Sequence, residues 1–346
     1  MSASRNAYRA LLRLKGDAVI HHSLGTAGYA LCPDMGGRVF AEVGGLSMHR
    51  IDLGVVADPT RPFNNFGGGN FWPAPEGGKF GFNYEGDRWR VQESINLQPF
   101  TVVSNAPDHP IIEKTIMLTN RAETVVEAIM RREMVLADSC PACLEGYSFE
   151  GFLSYVTVDS FEVLNSVPVE DALIAAWTLE QFDASEHTVS FCAVENPRAA
   201  INFDYYEHPG ERIAYHERGF VYRTDGTKAG QVGAKARAGA SLIGFCNYST
   251  GVVCVREDRS MSDGRYFNIA DNDQPNGPYS AADNYSIYNS DTRMRAFELE
   301  TVGSANVDGS FLKGSELVSA TTFARFHETG DVEMFLAETL GPRAPE

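Results

Sequence analysis

The chain has 346 residues, of which 43% are hydrophobic and 22% charged, the proportions of a globular protein with a substantial core. Its formal net charge of −17 argues against nucleic acid and anionic membranes as partners, because long-range repulsion opposes both. Six cysteines, Cys32, Cys140, Cys143, Cys192, Cys246 and Cys254, are too few in so long a chain for a disulfide scaffold.

In chain order, the N-terminus interleaves Arg5, Arg9 and Arg13 with its few apolar residues. That predicts a short amphipathic helix over 1–15 and not a signal peptide, whose apolar core must be unbroken. No apolar run approaches the roughly 20 residues that span a bilayer, so a cytoplasmic location is expected. Short strand-like runs follow at 18–22, 28–32 and 38–43, separated by glycine or Pro-Asp. Residues 124–136 alternate, with Val126, Ala128, Met130 and Met134 on one side. Strand signals continue at 147–158, 173–179, 188–194, 213–222, 242–247 and 252–256, and 331–340 reads as a short helix. Turn clusters such as His208-Pro209-Gly210, Asp225-Gly226 and Thr250-Gly251 punctuate them at hairpin intervals. Evenly spaced short strands with few helices predict an all-β protein, a large antiparallel β-sandwich or a barrel, and no linker divides the single domain expected over 1–346.

Two stretches interrupt the rhythm. Residues 63–84 hold Phe66-Gly67-Gly68-Gly69 and Phe71-Trp72-Pro73, too rich in Gly and Pro for regular structure and too aromatic for a solvated linker. Residues 257–291 are dense in Asp, Asn, Ser and Tyr and read as a functional loop or a solvated rim. Cys140-Pro141-Ala142-Cys143 has CxxC spacing without a second pair, which favours plain turn cysteines over zinc or redox chemistry.

The sharpest local feature is Ala296-Phe297-Glu298-Leu299-Glu300. As a strand, its period of two puts Glu298 and Glu300 on one face, roughly 7 Å apart. In an enclosed site each carboxylate disfavours ionisation of the other, which suits a general acid or base near neutral pH. On a solvated face the same pattern does nothing. The 63–84 stretch offers Trp72 for the apolar face of a sugar ring and Asn64, Asn65 and Glu76 for hydroxyls; the alternative is a packed loop. His208 and His216 flank a turn as candidate proton carriers, with no helical zinc spacing. No P-loop, dinucleotide fingerprint or serine elbow is present, and no helix signal follows Gly67-Gly68-Gly69.

Several of these segments, in order, resemble the galactose-mutarotase-like (aldose 1-epimerase-like) superfamily, and more closely an uncharacterised bacterial branch of it. They are Pro33-Asp34-Met35-Gly36-Gly37-Arg38, Asn64-Asn65-Phe66-Gly67-Gly68, Phe71-Trp72, Pro75-Glu76-Gly77-Gly78, Asp283 to Asn289, Glu298-Leu299-Glu300 and Lys313-Gly314-Ser315-Glu316. The resemblance implies a supersandwich with a concave, sugar-accommodating face. It also implies a catalytic base at Glu300 in Leu299-Glu300-Thr301, with Glu298 or Glu180 as partner or acid and Arg38 as a clamp. The family's two histidines are missing, since Trp177 stands near one expected position and Phe66 at the other. The expected function is acid–base chemistry, as an epimerase, isomerase or lyase, on a small carbohydrate without a cofactor or metal. The alternative is a non-catalytic sugar-binding or sensing protein on the same scaffold.

Overall fold

In the computed structural model, which describes residues 4–60, 65–85, 88–137, 140–204, 206–235, 238–260 and 283–344, two antiparallel sheets pack together. Among the described residues they contain ten and eleven strands. Alternation drives the pairing. Along Val125–Leu136 the side chains of Val126, Ala128, Met130 and Met134 are fully buried in the core, while the intervening positions stay partly or fully exposed. The eleven-stranded sheet is built around Phe149–Val163 and Phe311–Phe326, which pair along nearly their whole lengths.

The ten-stranded sheet carries the candidate site. Its central strands run side by side in the order Gly68–Ala74, Ala175–Asp183, Ala296–Val302, Asp283–Asn289 and Gly230–Lys235. One face of these strands covers the shared core and the other faces outward. Direct pairing of Trp177 with Trp72, Leu179 with Glu300, and Glu298 with Tyr288 puts all six side chains on the outward face.

Two expectations need correction. The 63–84 stretch is not devoid of regular structure, because Gly68–Ala74 is a strand buried along its whole length. Its glycines are required by the neighbours: a Cβ on Gly69 would lie 2.4 Å from the Glu180 carboxylate. The single strand expected over 213–222 is a hairpin of Ile213–His216 and Gly219–Arg223. The terminal helices span Ser4–Lys15 and Gly330–Leu340. Of the acidic stretch 257–291, residues 261–282 lie outside the described residues, and the following segment is the strand Asp283–Asn289. Cys140 and Cys143 are free thiols beside the short turn Ala142–Leu144. No helix among the described residues is long and apolar enough to cross a membrane.

The interior between the sheets contains a polar knot. Arg256 donates to Glu180 at 2.6 Å, to Thr321 at 2.9 Å and to Thr301 at 2.8 Å, and also to Thr178. His49 Nδ1 accepts from the Ala41 amide at 3.1 Å, so the ring proton sits on Nε2 and is donated to Glu180 at 2.6 Å. Burial pushes the Glu180 carboxyl up, but Arg256 and the His49 hydrogen bond outweigh it and hold the group at about 2.

Candidate functional site

The outward face of the central strands forms a cavity of about 250 Å³, just below the roughly 300 Å³ at which ordinary ligand pockets begin. Its walls are aromatic. Trp72 and Trp177 meet edge to face with centroids 5.9 Å apart, and Trp89 lies 6.4 Å from Trp72. Tyr206 and Tyr288 close the other side. Trp72 is held by donation of its indole N–H to Asn96 at 3.1 Å, and Trp89 by donation to Glu76 at 2.8 Å.

Glu298 and Glu300 form the polar floor. Glu300, 2% exposed, accepts from Ser286 Oγ at 2.6 Å and from Gln231 Nε2 at 3.2 Å. Glu298 is less covered and accepts from Gln181 Nε2 at 2.5 Å. Gln181 is itself oriented by Arg50 at 3.2 Å. Burial raises both carboxyls, and they differ in what opposes it. Glu298 is pulled back by Gln181, Arg50 and Arg38. Glu300 is pushed well above the usual carboxylate range by burial and by the charge of Glu298, with Glu76 adding and Ser286 opposing. Two such groups titrate as a pair, and of the two Glu300 is the one whose proton is held more tightly. The Trp177 indole N–H makes no hydrogen bond of standard geometry, yet is near enough to Glu300 to favour its ionised form. A buried donor without a full partner at a cavity wall is a position for a ligand acceptor.

The residues singled out from sequence divide between this cavity and other places. Asn65, Trp72, Glu76, Trp177, Glu298 and Glu300 converge on it. Asn64 lies outside the described residues. Glu180 alternates with Leu179 and Gln181 and points inward to Arg256 and His49. Arg38 is fully buried behind the Trp72 strand, donating to the Gly67 and Met35 carbonyls at 2.9 Å and to Asn96 at 3.1 Å. It supports the floor electrostatically and does not line the cavity. His208 packs on Phe203 and its Nδ1 accepts from the Gly210 amide. His216 lies in the other sheet, its Nδ1 bonded to the Gly341 carbonyl at 2.9 Å. Trp89, Gln231 and Tyr288 line the cavity and were not anticipated. For Tyr288 the signal was present, since it alternates with Ser286 in a segment already recognised.

Two packed antiparallel sheets of this topology make a galactose-mutarotase-like fold. The chain belongs to a family of unknown function (DUF6786), whose model matches residues 7–321. Among solved structures it is similar to a candidate aldose 1-epimerase of Escherichia coli K12, with TM-score 0.50 and 12% identity, covering 88% of this chain and 98% of that one. A galactose mutarotase-like protein of Lactobacillus casei matches with TM-score 0.46 and 10% identity over 88% and 98% of the two chains. No curated protein matches the chain. At the identity of the Escherichia coli match, what is shared is the fold.

Proposed function

We propose that this is a carbohydrate-active protein performing acid–base chemistry, of epimerase, isomerase or lyase type, on a monosaccharide-sized ligand in the aromatic cleft. The supporting observation is the Glu298–Glu300 pair on one strand face of a cavity walled by Trp72 and Trp177, with both carboxyls raised by burial. Glu298, whose charge Gln181 and the nearby arginines favour, takes the proton of an anomeric hydroxyl, and Glu300 delivers its proton to the ring oxygen. The ring C–O bond breaks as the anomeric oxygen becomes a carbonyl oxygen, and the reverse steps close the ring on either face. This exchanges the roles expected from sequence, where Glu300 was the base. The pair takes over work that two histidines do in the family pattern, because no histidine lines the cavity among the described residues.

That same lack of a histidine favours a second reading, a sugar-binding protein without turnover. Anomer-exchange NMR on aldoses, run with Glu298→Gln and Glu300→Gln beside the wild type, separates the two. The catalytic reading expects each variant to lose about 100-fold or more in exchange rate while still binding the sugar. Sugar binding by the wild type with no acceleration of exchange or other chemical change leaves the binding protein.

A further inference from the structure

The described lining of the cavity contains Glu76, Glu298 and Glu300 and no lysine, arginine or histidine. The nearest cations are already committed. Arg50 is held between Asp52 at 3.3 Å and Gln181 at 3.2 Å, and Arg38 spends its bonds on backbone carbonyls and Asn96 behind the wall. A carboxylate or phosphate on a ligand would therefore meet like charge with nothing in the described lining to neutralise it. An ammonium group meets the opposite. It would offset the burial that raises both floor carboxyls and the Glu298 charge that adds to it at Glu300, and the aromatic walls offer a cation further attraction.

We infer that the cleft prefers a protonated amino sugar to the neutral sugar of the same shape and rejects the corresponding sugar acid. The ammonium would lie against Glu298 and Glu300 with the sugar ring against the wall that Trp72 and Trp177 form together. This rests on the carbohydrate reading for the ring and on the charge pattern for the amine. The Trp177 N–H, on a side chain only 2% exposed, makes no hydrogen bond of standard geometry although Glu300 is near, which leaves it room for a ligand acceptor. It suits a ring hydroxyl, which accepts as well as donates.

Calorimetry on the intact chain tests this with D-glucosamine and D-galactosamine, their neutral parents, their N-acetyl forms and D-glucuronate, together with choline as a cation that is not a sugar. The expected result is at least about tenfold tighter binding of the amines than of their parents, loss of that advantage on N-acetylation, and no binding of the uronate. In Glu298→Gln, confirmed folded by its tryptophan fluorescence, the amine-to-parent ratio should fall towards one. Parents or uronate binding as tightly as the amines overturns the charge preference and leaves the carbohydrate reading standing. Choline binding with no sugar bound keeps the cation preference and removes the carbohydrate reading. Failure of every probe to bind overturns both.

Discussion

Glu298 and Glu300 sit two residues apart on one strand face, yet their surroundings separate their chemistry. Glu298 has a donor amide and two guanidinium groups to favour its charge, while Glu300 has the charge of Glu298 against it. A carboxyl whose folded pKa lies above its unfolded value supports the fold fully below that ordinary value. The support is lost as pH rises through the folded pKa, because the folded state then resists giving up its proton. Glu300→Gln replaces the protonated acid by a neutral group of the same shape that cannot ionise. The variant should therefore gain in stability relative to wild type between pH 5 and pH 8, measured by urea unfolding at each pH. Parallel pH profiles for the two proteins would mean that Glu300 is ionised at little cost, and the acid role would fall with that result.

At the scale of the element, the strand Ala175–Asp183 is the hinge of the site's architecture. Trp177 and Leu179 line the cleft with Gln181 on the same strand face, bonded to Glu298, and Thr178, Glu180 and Phe182 face the core. Every alternate residue serves a different purpose. Glu180→Ala leaves the Arg256 guanidinium buried without its carboxylate, and breaking such a pair costs about 3–5 kcal/mol. Urea unfolding near pH 7 should show that loss. With the Glu180 carboxyl held at about 2, its contribution is present above the ordinary carboxylate range and disappears as pH falls towards 2. The difference between wild type and Glu180→Ala should narrow over that acid window; a difference independent of pH would point to lost packing alone.

The same strand explains what could be read beforehand. The faces of Glu298, Glu300 and the 124–136 residues follow from period-two alternation, which sequence displays directly. The Trp72 strand did not, because its glycines argue locally against a strand, while the reason for one of them, the Glu180 carboxylate 2.4 Å from a Gly69 Cβ, comes from a strand more than a hundred residues away. Gln231 escaped notice for a related reason: the Gly-Gln-Val-Gly-Ala-Lys run of its strand offers few β-branched or aromatic residues. His208 and His216 were weighed for their chemistry, but chain position says little about which sheet a side chain joins.

For the whole molecule, the question is whether two sheets behave as one body. Their inner faces share a single apolar cluster that includes Val126, Met130 and Tyr155 from one sheet and Phe71, Leu299 and Ile287 from the other. Arg256, on the eleven-stranded sheet, is bonded to Glu180, Thr178 and Thr301 on the ten-stranded one. Neither sheet can separate without exposing that cluster and stranding those polar groups, so we propose that the chain unfolds as one cooperative unit. The protein carries its own probes for this. Its three tryptophans are Trp72, Trp89 and Trp177, all of which line the cleft, so indole fluorescence reports the cleft side of the ten-stranded sheet, whereas far-ultraviolet circular dichroism reports both sheets. Coincident urea transitions by the two signals are expected. A fluorescence transition clearly preceding the dichroism change would show the site-bearing sheet opening alone, and would divide the chain into two folding units despite the shared core.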